Sequence, residues 1–427
     1  MQTWPGSVTF GIHIDAMRYW KVVGLIALIC VGLGGFGYYL THDAEAADAR
    51  LEHGIPTNPD YLDPPALDGI DLTRMALSTM EATASASNGR TAHLSIDPGL
   101  QRKVLELFVS RGVTEGSVVL VDLRSSRLLV YASINEGPRR DVNVEAKAPA
   151  ASVFKVVTGT ALVDKAGLSI DHKQCYQGGQ HGFELSDLIE DEVRDKWCAT
   201  LAGAMGRSLN VVMGRLALRY LDPESLGSVA KAYGFGSPVS FDVPVQPSIV
   251  VLAEDDDLEF ARTAAVFWNT TLSPVQGAMI ASIVAQKGAV MRPVLVNSVT
   301  DARGKVIYRA PAAPQKLGQA FSPEVAGAVR RMMRETFLNG TAHSDFFDAK
   351  GRPYLPDVKL LAGKTGSLTS KTQRYYTWLV GFAGSEEPEV AFAVLVNNGP
   401  KWRTKAPLLT REVLRAYFAA HGVSGAT

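Results

Sequence analysis

Strand-like runs fall in two groups along this chain, and helical periods fill the interval between them. Residues 117–122 (SVVLVD) and 127–133 (RLLVYAS), joined by a short polar turn, have the make-up of a β-hairpin. Residues 358–361, 377–383 (TWLVGFA) and 389–397 (EVAFAVLVN) return to that pattern. From about Pro149 to Gly288 the apolar spacing is helical, with Ser273 placed to cap a helix, Pro274 to open it and Gly288 beyond its end. A second capped helix is expected after Ser322-Pro323 and a last one around 408–420. Strands, helices, strands, helix is the order of an α/β fold in which helices flank an antiparallel sheet and a mostly helical subdomain is inserted between its early and late strands.

At 427 residues, 46% hydrophobic and 20% charged, the chain can bury a sizeable core. Basic and acidic residues balance at 43 each, so no whole-chain field favours nucleic acid. Residues 22–40 carry no charge and are long enough to cross a bilayer. Arg18 and Lys21 precede this run and Asp43, Glu45, Asp48 and Glu52 follow it, which places the N-terminus in the cytoplasm and the rest of the chain outside. A cleaved signal peptide, with Ala44-Glu45-Ala46 as its site, is the other reading, and both export the domain. The expected division is a cytoplasmic N-terminus (1–21), a single transmembrane anchor (22–40), an extracytoplasmic linker with at most one short helix (41–92) and a catalytic domain (93–421). Asp97 and Pro98 are expected to open the first helix of that domain, with Leu100, Val104, Leu107 and Phe108 on one face. Of three cysteines Cys30 lies in the apolar run, leaving Cys175 and Cys198 as a disulfide candidate in an oxidising compartment; two buried free thiols are the alternative.

Three short motifs carry chemistry. In Ser152-Val153-Phe154-Lys155 the three-residue spacing puts Lys155 on the same helix face as Ser152, where an amine with a lowered pKa can take the serine proton. Lys364, in Lys364-Thr365-Gly366-Ser367, follows an apolar strand and can supply the positive field that lowers it. In Ser208-Leu209-Asn210 the hydroxyl is a proton relay and the Asn210 amide a grip for a substrate carbonyl. Gly366 permits close approach of an extended peptide to the strand edge, while Thr365, Ser367 and Lys364 meet a terminal carboxylate; the backbone N–H groups of Ser152 and Ser367 are the oxyanion donors. Second copies exist, at Ser228-Val229-Ala230-Lys231 and Ser133-Ile134-Asn135, and their settings read as a solvated helix face and a strand end. Lys-Thr-Gly occurs once. The eight histidines show no metal-ligand spacing and no glycine-rich phosphate loop follows a strand, so no metal or cofactor is expected.

In this order the motifs resemble those of penicillin-binding protein transpeptidase domains in the serine D,D-peptidase and β-lactamase superfamily. The resemblance runs from about 95 to 400. It takes in Ser95-Ile96-Asp97-Pro98-Gly99-Leu100-Gln101, Leu272-Ser273-Pro274-Val275-Gln276, Asn339-Gly340-Thr341-Ala342 and Trp378-Leu379-Val380-Gly381-Phe382. It implies a penicillin-binding/β-lactamase-like fold and a serine D,D-transpeptidase that cross-links peptidoglycan stem peptides through a Ser152 acyl-enzyme and is inhibited by β-lactams. It also implies catalytic roles for Ser152, Lys155, Ser208 and Lys364, and substrate contacts from Asn210, Thr365, Gly366 and Ser367. Ala151 stands where the family usually has Gly, and Ser367 where large members usually have Thr. The stretch between Leu40 and Asp97 is too short for a glycosyltransferase domain or a long pedestal, so a separate wall-synthesis glycosyltransferase is an expected partner. D,D-carboxypeptidase activity differs only in using water as acceptor, a β-lactamase would add a deacylating base, and a non-catalytic β-lactam sensor would keep Ser152. Glu335-Thr336-Phe337-Leu338-Asn339 spells a class A β-lactamase signature, but it stands just before Gly340-Thr341-Ala342, close to Lys364, whereas class A enzymes place theirs soon after the Ser-x-Asn motif.

Overall fold

A computed structural model describes residues 65–178, 182–265, 269–370, 373–399 and 403–422. The expected N-terminus 1–21, the span 22–40 and the first part of the linker lie outside the described residues; among those described, no helix is long and apolar enough to cross a membrane. The remainder of the expected linker is corrected. Residues 71–94 are three antiparallel strands, β1 (Asp71–Leu77), β2 (Ala82–Ala86) and β3 (Arg90–Leu94). Their inward positions are small residues, Ala82, Ala84 and Ala92. Asn88 and Gly89 turn between β2 and β3, both at left-handed φ (61° and 70°), the conformation a tight hairpin demands.

Helix α1 (Pro98–Ser110) opens where Asp97 accepts hydrogen bonds from the N–H groups of Gly99 and Leu100, with Pro98 where no donor is needed. The hairpin β4 (Gly116–Asp122) and β5 (Leu128–Ile134) follows. The helical part then holds α2 (Lys155–Asp164), a ribbon of β6 (Lys173–Tyr176) and β7 (Trp197–Thr200), α3 (Leu201–Arg207), α4 (Asn210–Tyr220), α5 (Pro223–Ala232) and α6 (Asp257–Ala265). It closes with α7 (Pro274–Ala285), capped by Ser273 and buried on nearly every side, as a helix with almost no polar face must be. β8 (Val296–Thr300) and β9 (Val306–Arg309) come next, and β8 pairs with β3 across some 200 residues of chain to complete a sheet ordered β1-β2-β3-β8-β9. Helix α8 (Pro323–Leu338), capped by Ser322, leads to β10 (Leu360–Thr369), β11 (Tyr375–Gly384) and β12 (Pro388–Asn398), and α9 (Ala406–His421) ends the described chain.

The central sheet is antiparallel throughout, ordered β10-β11-β12-β4-β5. Its strands are apolar on both faces because both are covered. Val390, Phe392, Val394 and Val396 of β12 belong to the core shared with α1 and α9, and the intervening Ala391, Ala393 and Leu395 to the core shared with the helical part. This is the expected α/β fold. β10, which carries Lys364, stands at the end of the order, hydrogen-bonded to β11 alone among the described strands.

Cys175 and Cys198 sit opposite each other in the β6–β7 ribbon and are bonded as a disulfide. Buried Arg215 of α4 fastens the same region: its guanidinium donates to the carbonyls of Cys175 (2.9 Å), Asp187 (2.8 Å) and Ile189 (3.0 Å) and pairs with Asp195 (2.6 Å). The disulfide spans 23 residues, a loop whose closure stabilises by about 3 kcal/mol through the unfolded chain. Cys175→Ala/Cys198→Ala is therefore expected to lower the unfolding free energy by that amount, read as a lower urea midpoint. Equal midpoints for the two proteins would contradict it.

Candidate active site

Ser152 is placed by backbone contacts before any side chain acts on it. Ala148–Pro149 pair with Thr271–Leu272, the Ala150 N–H donates to the Thr270 carbonyl (3.2 Å), and the buried Trp378 indole N–H of β11 donates to the Pro149 carbonyl (2.9 Å). Ala151 then takes φ +49°, a left-handed conformation that costs a residue with a Cβ about 1–2 kcal/mol. A 3₁₀ turn (Ala151–Phe154) runs straight into α2. Val153, Phe154, Val156 and Val157 are fully buried beneath it, with Phe154 edge-on to Phe235 at 5.3 Å.

The sequence motifs meet at Lys155. Its Nζ, wholly buried, lies 3.2 Å from Ser152 Oγ, 3.1 Å from Ser208 Oγ, 3.2 Å from the Ser208 carbonyl and 2.5 Å from Asn210 Oδ1. Burial pushes this amine well below its ordinary pKa, and the charge of Lys364 adds to the push. A neutral amine has two N–H donors and one lone pair. Asn210 Oδ1 and the Ser208 carbonyl accept without being able to donate, so the lone pair is left for a hydroxyl. Ser208 is the hinge of the network: its Oγ donates to Ser152 Oγ (2.9 Å) and accepts from Lys364 Nζ (2.9 Å). It holds that place by capping α3 at φ +59°, the second non-glycine left-handed residue at the site. Burial pushes Lys364 down to about 7.

Along β10 the side chains alternate. Lys364 and Gly366 face Ser152; a Cβ on Gly366 would stand 3.2 Å from the Ala150 carbonyl and as close to Trp378. Thr365 and Ser367 face the other way, and the Thr365 hydroxyl is hydrogen-bonded to that of Thr341. Thr341 is positioned by its N–H to the Gly206 carbonyl (3.1 Å) at the end of α3. A Cβ on Gly340 would lie 2.2 Å from that same carbonyl, a clash of backbone and not of a flexible side chain. Gly340→Ala is thus expected to destabilise the fold by about 2 kcal/mol and to slow acylation of Ser152. Denaturant melts and labelling rates at wild-type values would refute this.

A cavity of about 500 Å³ joins these groups, lined by Ser152, Ser208, Asn210, Thr365 and Ser367. It also takes in Tyr176, Arg207, Thr341, Ser344, Asp345 and Lys405, none of which the motifs single out as site residues. Thr341 had a signal in Gly340-Thr341-Ala342; Asp345 and Lys405 had none, since only the fold brings them to β10. The duplicate motifs stay outside. Ser228 and Lys231 are exposed on α5, with Ser228 Oγ donating to the Ser225 carbonyl (2.8 Å), and Asn135 binds the loop after β5 through the carbonyls of Glu136 and Pro138. Glu335 does not line the cavity; its carboxylate accepts from Asn339 Nδ2 at 3.1 Å. No cluster of metal-ligating side chains occurs among the described residues.

Comparison with known proteins agrees with this geometry. Residues 116–415 match the family model described as "Penicillin binding protein transpeptidase domain". Peptidoglycan D,D-transpeptidase PbpA of Mycobacterium tuberculosis is 29% identical over 215 residues, 48% of this chain and 40% of that protein, and its Mycolicibacterium smegmatis counterpart is 28% identical over 210 residues, 47% and 39%. The chain thus matches about two-fifths of the length of these curated relatives. Among solved structures, penicillin-binding protein A from M. tuberculosis as its imipenem acyl-enzyme has a TM-score of 0.64 at 23% identity, covering 77% of this chain and 79% of that one. The D,D-transpeptidase domain of a peptidoglycan glycosyltransferase from Eggerthella lenta has a TM-score of 0.63 at 21% identity, covering 78% and 83%.

Proposed function

The chain belongs to the penicillin-binding protein transpeptidase family, and from that membership we propose that it is a serine D,D-transpeptidase acting on peptidoglycan stem peptides that end in D-Ala-D-Ala. The observation that carries the reading is the buried Lys155 amine, 3.2 Å from Ser152 Oγ and bridged through Ser208 to Lys364. Neutral Lys155 takes the Ser152 proton as Oγ attacks the penultimate carbonyl carbon, and the Ser152 and Ser367 N–H groups hold the oxyanion. Asn210 and the open edge of β10 hold the extended stem, Gly366 letting it approach. The C–N bond breaks, and the proton passes through the Ser208 hydroxyl to the departing D-alanine amine. An acceptor amine then attacks the Ser152 ester; the C–N bond forms, the C–O bond breaks, and the amine's proton returns to Ser152 Oγ. One amide is exchanged for another, so the reaction needs no external source of energy.

The test is incubation with a D-Ala-D-Ala stem peptide and an amine acceptor, read by mass spectrometry. Cross-linked product that disappears in Ser152→Ala is the expected result; shortened monomer alone would make the enzyme a carboxypeptidase. β-Lactams would acylate Ser152 as slow substitutes for the donor. The position of Glu335 outside the cavity counts against a deacylating base of the β-lactamase kind.

By the same reading the domain is exported and held at the bacterial inner membrane by residues 22–40. The charge asymmetry about that run and the Cys175–Cys198 disulfide support this. Stems are joined on glycan strands, so a polymerising glycosyltransferase is the natural partner. Fractionation of cells that placed the protein in the cytosol, untouched by protease from outside the inner membrane, would overturn the location.

A further inference from the structure

A substrate ending in a free carboxylate needs a cation opposite that group, and Lys364 is badly placed to be it. Its Nζ is directed to Ser208 Oγ (2.9 Å) and the Thr365 carbonyl (3.0 Å), on the Ser152 side of β10, and burial holds it near half protonation, at about 7. The hydroxyls suited to a carboxylate, those of Thr365 and Ser367, lie on the opposite side of the strand. The cavity reaches that side, where Lys405 lines it.

Lys405 is set there by a chain of contacts. Ser367 is the cross-strand partner of Thr377, whose Oγ1 accepts the Ala406 N–H at 3.1 Å, one residue beyond Lys405. On its other side Thr404 is pinned twice, its carbonyl by Asn398 Nδ2 (2.8 Å) and its hydroxyl to the Arg111 carbonyl (2.8 Å). The backbone that bears Lys405 is thus fixed beside Ser367 while its side chain stays exposed. Asp345 is the sole carboxylate among the described residues lining the cavity. Burial pushes its pKa up, and the charges of Lys405 and of Arg411, itself paired with Glu412, oppose that shift.

We propose that Lys405 is a specificity-determining residue: its ammonium, with the Thr365 and Ser367 hydroxyls, receives the terminal carboxylate of the donor peptide, or the equivalent carboxylate of a β-lactam. This rests on the acyl-transfer reading above. It would favour chain ends, since an internal peptide bond would present Lys405 with a neutral amide in place of a carboxylate.

The experiment compares Ser152 acylation by benzylpenicillin and by its methyl ester in wild type, Lys405→Ala, Lys405→Arg and Arg207→Ala. Wild type is expected to prefer the free acid, and Lys405→Ala to lose about 10- to 100-fold of that preference, the value of one charge-assisted hydrogen bond. Lys405→Arg should keep most of it. Thermal melts of Lys405→Ala at the wild-type midpoint, expected for an exposed side chain, would show the effect to be local. An acid-to-ester ratio unchanged in Lys405→Ala, or one abolished by Arg207→Ala instead, would overturn the inference. A wild-type protein acylated by neither probe would overturn the acyl-transfer reading itself, and this inference with it.

Discussion

Lys155→Ala is expected to slow acylation of Ser152 by a fluorescent penicillin by about 10³- to 10⁴-fold, the upper range for loss of a positioned general base. The effect should be this large because no other described side chain is placed to take the proton. Ser208 can only pass it on, and Lys364 reaches Ser152 through Ser208 alone. Lys155→Arg should give no rescue, since a guanidinium cannot shed its proton and its planar fork does not fit a pocket built for one amine. Lys155→Ala should still fold, because it removes an amine wholly enclosed by protein. Stopped-flow labelling decides the matter: acylation of Lys155→Ala within tenfold of wild type would remove Lys155 from its assigned role.

Lys364→Met is expected to raise stability while abolishing cross-linking. Burial takes this amine from 10.5 in the unfolded chain to about 7 in the folded one, so between those values the unfolded chain binds a proton that the folded chain does not. Unfolding free energy must therefore climb as pH rises from 7 toward 10, and Lys364 accounts for roughly 3 kcal/mol of the climb. Methionine fills similar space without titrating, at the expense of the hydrogen bonds to Ser208 and the Thr365 carbonyl. A net gain of about 2 kcal/mol at pH 7 follows, with a flatter dependence above it; Lys155 keeps the remaining slope. Urea melts at pH 7, 8.5 and 10 that ran parallel for wild type and variant would refute the account. The catalytic amine is a group the fold would be more stable without.

What could be read from the sequence depended on how each element is stabilised. β4, β11 and β12 are covered on both faces and therefore spell out their strands as continuous apolar runs. The helices α1, α7 and α8 announce themselves by a cap followed by proline: Asp97-Pro98, Ser273-Pro274 and Ser322-Pro323. β2 and β3 offered no such signal, because alanines fill their inward positions and their sheet is completed by β8, far along the chain. Read alone, ATASASNGRT looks like a tether; only Asn88-Gly89 marked the hairpin within it. The same division holds at the site. Ser152 with Lys155, Ser208 with Asn210 and Lys364 with Thr365 were legible because each pair is local, its spacing set by one helix or strand. Asp345 and Lys405 join them through tertiary structure alone, and a single Asp or Lys near a helix start carries no mark of its cavity.

The unpaired side of β10 has a consequence for self-association. A strand edge able to bind one extended peptide is chemically able to bind any other, including the same strand of a second molecule, and naked edges of this kind seed aggregation. Here the edge lies in a cleft between the Ser152 turn, the Ser208 loop and the Thr341 segment, with Lys364 projecting from it. Flanked in this way, the edge keeps its main-chain groups within reach of an extended peptide while the surrounding segments stand between it and the edge of another sheet.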